Sequence, residues 1–170
     1  MDAVELLLQF CDNDLIKLEN ECAKLVQAIS GDVITKDDIL FNVQKSVDYQ
    51  IYELCEAITD RDSIKALKIL QFLFDRKESV AYILGVIISY MRRMFYCGTS
   101  DYTDFELAKM LGIKEYAVKM TRKKCQKFKK MELKTYLEKC LDYDLAIKKN
   151  KIDAEMGIYS LVLELLEYKA

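Results

Sequence analysis

A chain of 170 residues with 52% apolar and 32% charged residues can bury a core and is too hydrophobic to stay disordered. It has no His, no Pro, six Cys without a C-x-x-C pair and five isolated Gly, at a formal net charge of −2. These counts exclude phosphate-cradling glycine loops, His-based catalysis and zinc sites of the usual spacing.

In chain order the residues read as helices. Asp2 caps a short helix over 3–11. Asn13 is expected to cap the next, whose apolar positions Leu15, Leu18, Cys22, Leu25, Val26 and Ile29 keep helical spacing, with Gly31 closing it. Thr35 and Asp38 form a capping box for a third. A polar connector over 41–47 follows, and a domain boundary is expected there, giving domains 1–46 and 47–170. Asp48 opens a helix with Ile51, Leu54, Cys55 and Ile58 inward. Residues 63–76 form another, with Ala66, Leu67, Leu70, Leu73 and Phe74 inward.

The run Val80–Met91 is about twelve residues long and meets Arg92-Arg93. A membrane span needs about twenty, so residues 79–96 read as a core helix buried on nearly every side. A loop is expected over 98–101. Thr103 and Glu106 make a capping box for a helix with Phe105, Ala108 and Leu111 inward, and Gly112 ends it. A second helix follows to about Phe128, then one over 131–149 with Leu133, Leu137, Leu141 and Leu145 inward. Asp153 caps the last, with Ile158, Leu161, Val162 and Leu165 inward. No segment alternates with a period of two, so the expected class is all-α.

Charge is unevenly distributed. Residues 1–60 carry thirteen acids and four bases, and residues 61–170 carry fifteen acids and twenty-two bases. Between Lys114 and Lys130 eight bases face one acid. Such a stretch is either a nucleic-acid contact or a solvated helix face opposite Ala117, Met120, Cys125 and Phe128. On the first reading Tyr116 offers a stacking ring, while Lys119, Arg122, Lys123, Lys127 and Lys130 neutralise phosphates. Lys148, Lys149 and Lys151 are expected to extend the patch. The residue pattern 106–118 also has a helix-turn-helix flavour, which keeps a stand-alone DNA-binding regulator as an alternative.

No nucleophile stands beside an evident base. The acid pair Asp37-Asp38 is explained by the dipole of the helix it opens. Neither a catalytic residue nor a cofactor is expected. The scattered cysteines read as thiols of a reducing cytoplasm, and the acidic N-terminus lacks the basic region of a signal peptide.

Four segments taken together resemble the C-terminal part of the bacterial DNA polymerase III delta subunit family, a component of the sliding-clamp loader. Asn13-Asp14-Leu15 through Leu25, with Ile34 to Ile39, is similar to the family's lid. Ile51 to Leu54 with Ala57-Ile58, then Ala66 to Leu70, is similar to the start of its collar. Leu107-Ala108 with Leu111-Gly112-Ile113 and Ala117-Val118 is the third, and Asp144 to Lys148 the fourth.

The resemblance implies a partial AAA+ lid over 1–46 and a helical collar over 47–170. It implies assembly with tau/gamma and delta-prime subunits, and a weak, non-specific contact with primer–template DNA. It further implies a fragment of a longer protein, whose clamp-binding N-terminal domain is absent, so that the sliding clamp is reached only through that domain. Ile16 stands where such lids often have a basic residue, which argues against ATP contact.

Overall fold

The computed structural model describes residues 2–29 and 31–168. Among them ten helices and no strands occur: α1 Ala3–Phe10, α2 Leu15–Ala28, α3 Lys36–Asn42, α4 Val47–Thr59, α5 Ser63–Asp75, α6 Val80–Thr99, α7 Asp104–Leu111, α8 Glu115–Cys125, α9 Lys130–Lys148 and α10 Ala154–Glu167. The all-α expectation holds. The chain forms two compact units, one up to Ile51 and one from Tyr52 on, and the division falls inside α4.

Local chemistry sets most helix starts. Asp2, Thr35 and Thr103 each accept from the backbone three residues on, and Glu5, Asp38 and Glu106 reach back to complete capping boxes. Asp62, Ser79 and Asp153 cap α5, α6 and α10. The start of α2 differs from expectation. Asn13 is left-handed, and Asp14 is the residue whose carboxylate accepts from the N–H groups of Ile16 and Lys17. Nor does Gly31 close α2 with a left-handed turn, because the helix ends at Ala28 with Ile29 extended.

Four helix ends use a left-handed residue other than glycine. Asp12, Arg61, Lys77 and Asn150 have φ of 55°, 59°, 57° and 52°. Each sits where its own N–H and the next fold back onto the last carbonyls: Lys77 N–H on Phe74 O at 2.8 Å, Glu78 N–H on Leu73 O at 3.1 Å. A side chain there costs about 1 kcal/mol that glycine avoids. Lys77 is exposed, so Lys77→Gly is expected to raise stability by about 1 kcal/mol in urea titration. A fall in stability would show that the Lys77 side chain makes a contact worth more than the strain.

The first unit closes over Leu6, Leu7, Phe10, Cys11, Leu25, Ile39 and Val43, with Leu18, Cys22, Ile34 and Tyr49 packed against them. Tyr49 tilts against Phe10, and the Lys45 ammonium lies over both rings at 5.4 Å. Leu15 and Val26, expected inward, are exposed. Only the Leu18–Cys22–Leu25 face of α2 is needed to cover α1 and α3.

In the second unit α6 is the central element and packs on α7, α8, α9 and α10. By length and composition it could cross a membrane. However, its stripe Ile83, Leu84, Ile87, Tyr90, Met91, Met94 and Cys97 faces other helices. It is not buried all round, since Ala81, Tyr82, Gly85, Ser89 and Arg92 are exposed. The expected loop at 98–101 begins only after Thr99. Gly98 is helical and lies where α6 meets Cys125 and Leu133.

The inward residues of α4, α5 and α10 are as expected: Leu54, Cys55, Ile58, Leu70, Leu73, Ile158, Leu161, Val162 and Leu165 have no exposed surface. Other helices turn differently. In α7 the buried residues are Leu107 and Ala108, and Phe105 points outward. In α9 they are Glu132, Leu133, Tyr136 and Cys140, while Leu141 and Leu145 are exposed. An aromatic ring and a thiol at i+3 and i+7 from Leu133 turn the face away from the row of leucines.

All six cysteines are free, and all but Cys22 are buried. Burial pushes the Cys125 and Cys140 thiols up to about 12. Such thiols are packing groups with little nucleophilic thiolate.

Candidate functional site

The basic stretch folds into α8, the turn after it and the start of α9. The buried side of α8 is Val118, Thr121 and Cys125. Its outward side is Tyr116, 71% exposed, with Lys119, Met120 and Lys123. Met120 was expected in the core and is instead 48% exposed. The α8 helix ends at Cys125, so Lys127 lies in the turn and Lys130 is the first residue of α9. The helix expected to run to about Phe128 thus stops three residues short, and the basic candidates from Lys119 to Lys130 are divided between α8, the turn and α9.

Arg122 turns inward. Its Nε donates to Asp104 Oδ1 at 2.8 Å, one terminal nitrogen to Cys97 O at 3.3 Å, and the other to Tyr102 O. One guanidinium thus ties the end of α6, the connector and the start of α7 to α8, and its donors are used there. Lys148, Lys149 and Lys151 lie at the other end of α9, roughly 27 Å along its axis from Lys130. They form a separate patch, not an extension of the first. There Lys148 pairs with Asp144 at 2.7 Å, one helical turn back, and the positive charge suits a helix C-terminus.

Beside α8 lies a groove of about 750 Å³, lined by Tyr52 and Glu56 of α4 and Asp60 just after it, from α6 by Tyr90, Arg93 and Met94, and from α8 by Tyr116, Met120 and Lys124. Its wall holds a charged network. Lys124 Nζ lies 2.6 Å from Glu56 Oε1, and the Tyr90 hydroxyl donates to the same oxygen at 2.6 Å. The Lys124 ammonium also donates to the Tyr90 oxygen at 3.3 Å. The Arg93 guanidinium sits 4.9 Å from the Tyr90 ring centre and 5.7 Å from that of Tyr52.

Burial alone would raise the Glu56 carboxyl. The hydrogen bonds from Lys124 and Tyr90 outweigh it and hold the carboxyl below its ordinary range. Burial and the neighbouring Glu56 push the Tyr90 and Tyr52 phenols up. A depressed carboxyl stabilises the fold above its unfolded value and loses that contribution as pH falls through the lower folded value. Glu56→Gln is therefore expected to lower stability at neutral pH and to flatten the decline on acidification below about pH 5. Thermal melts at a series of pH values test this, and parallel profiles for the two proteins would refute it.

None of this network was legible in the sequence. Glu56 and Tyr90 are separated by 34 residues, as are Tyr90 and Lys124. Taken singly, Glu56 and Lys124 look like ordinary helix-surface charges.

A family model described as the DNA polymerase III delta subunit, C-terminal domain, matches residues 48–165. That range holds the α7–α8 pair together with the helices on either side of it. The DNA polymerase III subunit delta of Bacillus subtilis (strain 168) is 25% identical, over 98% of this chain and 49% of its own length. A solved DNA clamp loader delta protein of Bacillus subtilis superposes with a TM-score of 0.77 at 24% identity, covering 98% of this chain and 50% of its own. The chain thus spans about half the length of the relatives it matches.

Proposed function

We propose a function from one premise: the chain belongs to the family of the DNA polymerase III delta subunit, C-terminal domain. It serves as a non-catalytic part of a replicative clamp loader, holding its place among the other loader subunits. The unit from Tyr52 on is the collar, the unit before it is of the AAA+ lid type, and the partners are tau/gamma and delta-prime subunits. The family match over 48–165 carries this reading.

The exposed leucines of α9 give the assembly a surface. Leu141 and Leu145 lie one helical turn apart and are 46% and 51% exposed. Their burial against a neighbouring subunit is worth about 25 cal/mol per Å² of apolar surface. Co-expression with tau/gamma and delta-prime subunits tests the reading. The wild-type chain is expected to co-purify with them. Leu141→Glu with Leu145→Glu is expected to abolish retention while leaving the helical signal unchanged. Failure of the wild-type chain to co-purify overturns the assembly role. Normal retention of the double variant moves the contact to another face.

The exposed lysines of α8 and the start of α9 support a second, weaker contact. Lys119, Lys123 and Lys130 neutralise backbone phosphates of primer–template DNA without reading sequence, and Tyr116 offers a face for one exposed base. Arg122 is left out of this set because its guanidinium is engaged within the fold, and Lys127 because it lies 3.7 Å from Asp60. Changing Lys119, Lys123 and Lys130 together to Glu is expected to flatten the log–log salt dependence of binding by about 0.9 per lost contact. Anisotropy at several salt concentrations measures the slope, and an unchanged slope rules the contact out.

A further inference from the structure

The groove between α4, α6 and α8 carries an apolar floor that phosphate contact does not require. Met94, Ala117, Met120 and the rings of Tyr52 and Tyr116 line it. Tyr52, Tyr116 and Met120 are large groups left exposed on this one face. Covering such surface is favourable in proportion to the apolar area removed from water.

The charges around the floor are of mixed sign and largely spent. Lys124 is bound to Glu56, and Lys127 lies 3.7 Å from Asp60. Inside the groove Glu56 and Asp60 interrupt the run of free cations that a nucleic-acid strand needs along its backbone. An apolar centre inside a mixed polar rim is the anatomy of a protein-binding surface, and methionines such as Met94 and Met120 adapt readily to a partner's side chains. The cations left over are Lys123 in the lining and Lys119, next to Met120 but outside the lining, which form no ion pair among the described residues. With Arg93 behind them, they make the free charge of the rim positive.

We propose that this groove docks an amphipathic, net-acidic helix of a partner protein. The helix lays its apolar stripe on Tyr52, Tyr116 and Met120 and its carboxylates against Lys119 and Lys123. Charge complementarity selects an acidic partner, and the apolar floor selects one with helical spacing of large side chains. The proposal is independent of assembly through α9, because it concerns a different face, and it shares Tyr116, Lys119 and Lys123 with the proposed phosphate contact, so DNA and the helix compete for them.

The probe is a fluorescent peptide of Glu, with Leu and Phe at i, i+3, i+4 and i+7, read by anisotropy on the whole chain. A peptide of the same composition with scrambled spacing and a labelled oligothymidylate serve as comparisons. The patterned peptide is expected to bind about tenfold more tightly than the scrambled one. Met120→Ala and Tyr52→Ala each weaken it about tenfold, and Lys123→Glu weakens it as well. Lys149→Glu, at the far end of α9, leaves it unchanged. Circular dichroism confirms that each variant is folded, and Met120→Lys repeats the test with a change of charge. Equal binding of the two peptides overturns the proposal, as does indifference to both Met120→Ala and Tyr52→Ala. Tighter binding of oligothymidylate, weakened by the same two substitutions, assigns the floor to a nucleobase and overturns it too.

Discussion

Replacing Arg61 by Met is expected to lower the unfolding free energy by about 3 to 5 kcal/mol. Arg61 occupies the left-handed turn between α4 and α5, and its guanidinium binds the carboxylate of Glu132 in the first turn of α9. Glu132 is 4% exposed. A buried carboxylate that loses its partner keeps its desolvation cost and has no water to offset it. The N-terminus of α9 relieves part of that cost, because its free N–H groups favour an anion. The effect should therefore fall toward the lower end of the range. Met is chosen because it keeps the apolar stem and removes only the charge and the hydrogen bonds. The double variant Arg61→Met with Glu132→Leu should regain most of the loss, since an apolar pair of similar volume often matches a buried ion pair. Urea titrations of the wild type, the two single variants and the double variant give the coupling directly. A loss under about 1 kcal/mol for Arg61→Met would mean that the helix N-terminus alone holds Glu132. The contact also bears on function, because Glu56 near the end of α4 and Asp60 in the turn before Arg61 line the groove.

The parts of the fold that were legible in the sequence are those decided by neighbours within four residues. Thr103 and Glu106 find each other because a capping box needs only a spacing of three. The stripe Ile158, Leu161, Val162, Leu165 is unambiguous because every apolar position of that face is aliphatic. Where a helix carries apolar residues on two sides, periodicity alone does not choose between them. In α9 the row Leu133, Leu137, Leu141, Leu145 competes with Leu133, Tyr136, Cys140, and packing on α6 and α10 selects the second. The basic candidates show the same limit. Composition marks them all alike, yet Arg122 is tied to Asp104 and Lys124 to Glu56, whereas Lys119 and Lys123 remain outward. What separates structural from available cations is the acid each one meets, and those acids come from α7 and α4. Lys148, Lys149 and Lys151 are separated from the first patch by the length of α9, a distance that reading local charge density does not supply.

Substituting Gly98 by Ala is expected to destabilise the chain by about 1 to 3 kcal/mol, and by Val more. A Cβ at Gly98 would stand 2.3 Å from Leu133 Cδ1, 3.1 Å from Cys125 Cβ and 3.3 Å from Cys125 Sγ. Both neighbours are themselves buried, Leu133 at 1% exposure and Cys125 at 5%, so neither swings into solvent to make room. Cys125 is further held by its thiol, which donates to Met94 O at 3.3 Å. The glycine is thus required by the close approach of α6 to the end of α8 and the start of α9, not by a turn. Relief must come by shifting Leu133 with α9 and Cys125 with α8 outward, and α8 carries both the lysines of the proposed phosphate contact and one wall of the groove. Gly98→Ala should therefore weaken peptide docking in the groove as well as stability, although residue 98 does not line it. Leu133→Ala in the same chain tests the cause. Alone it opens a cavity and costs about 2 to 5 kcal/mol. Combined with Gly98→Ala it should cost less than the sum of the two, because the new methyl occupies space the leucine has left. Strict additivity of the two losses would show that the strain at Gly98 lies against Cys125 instead, and Cys125→Ala would then be the substitution that relieves it.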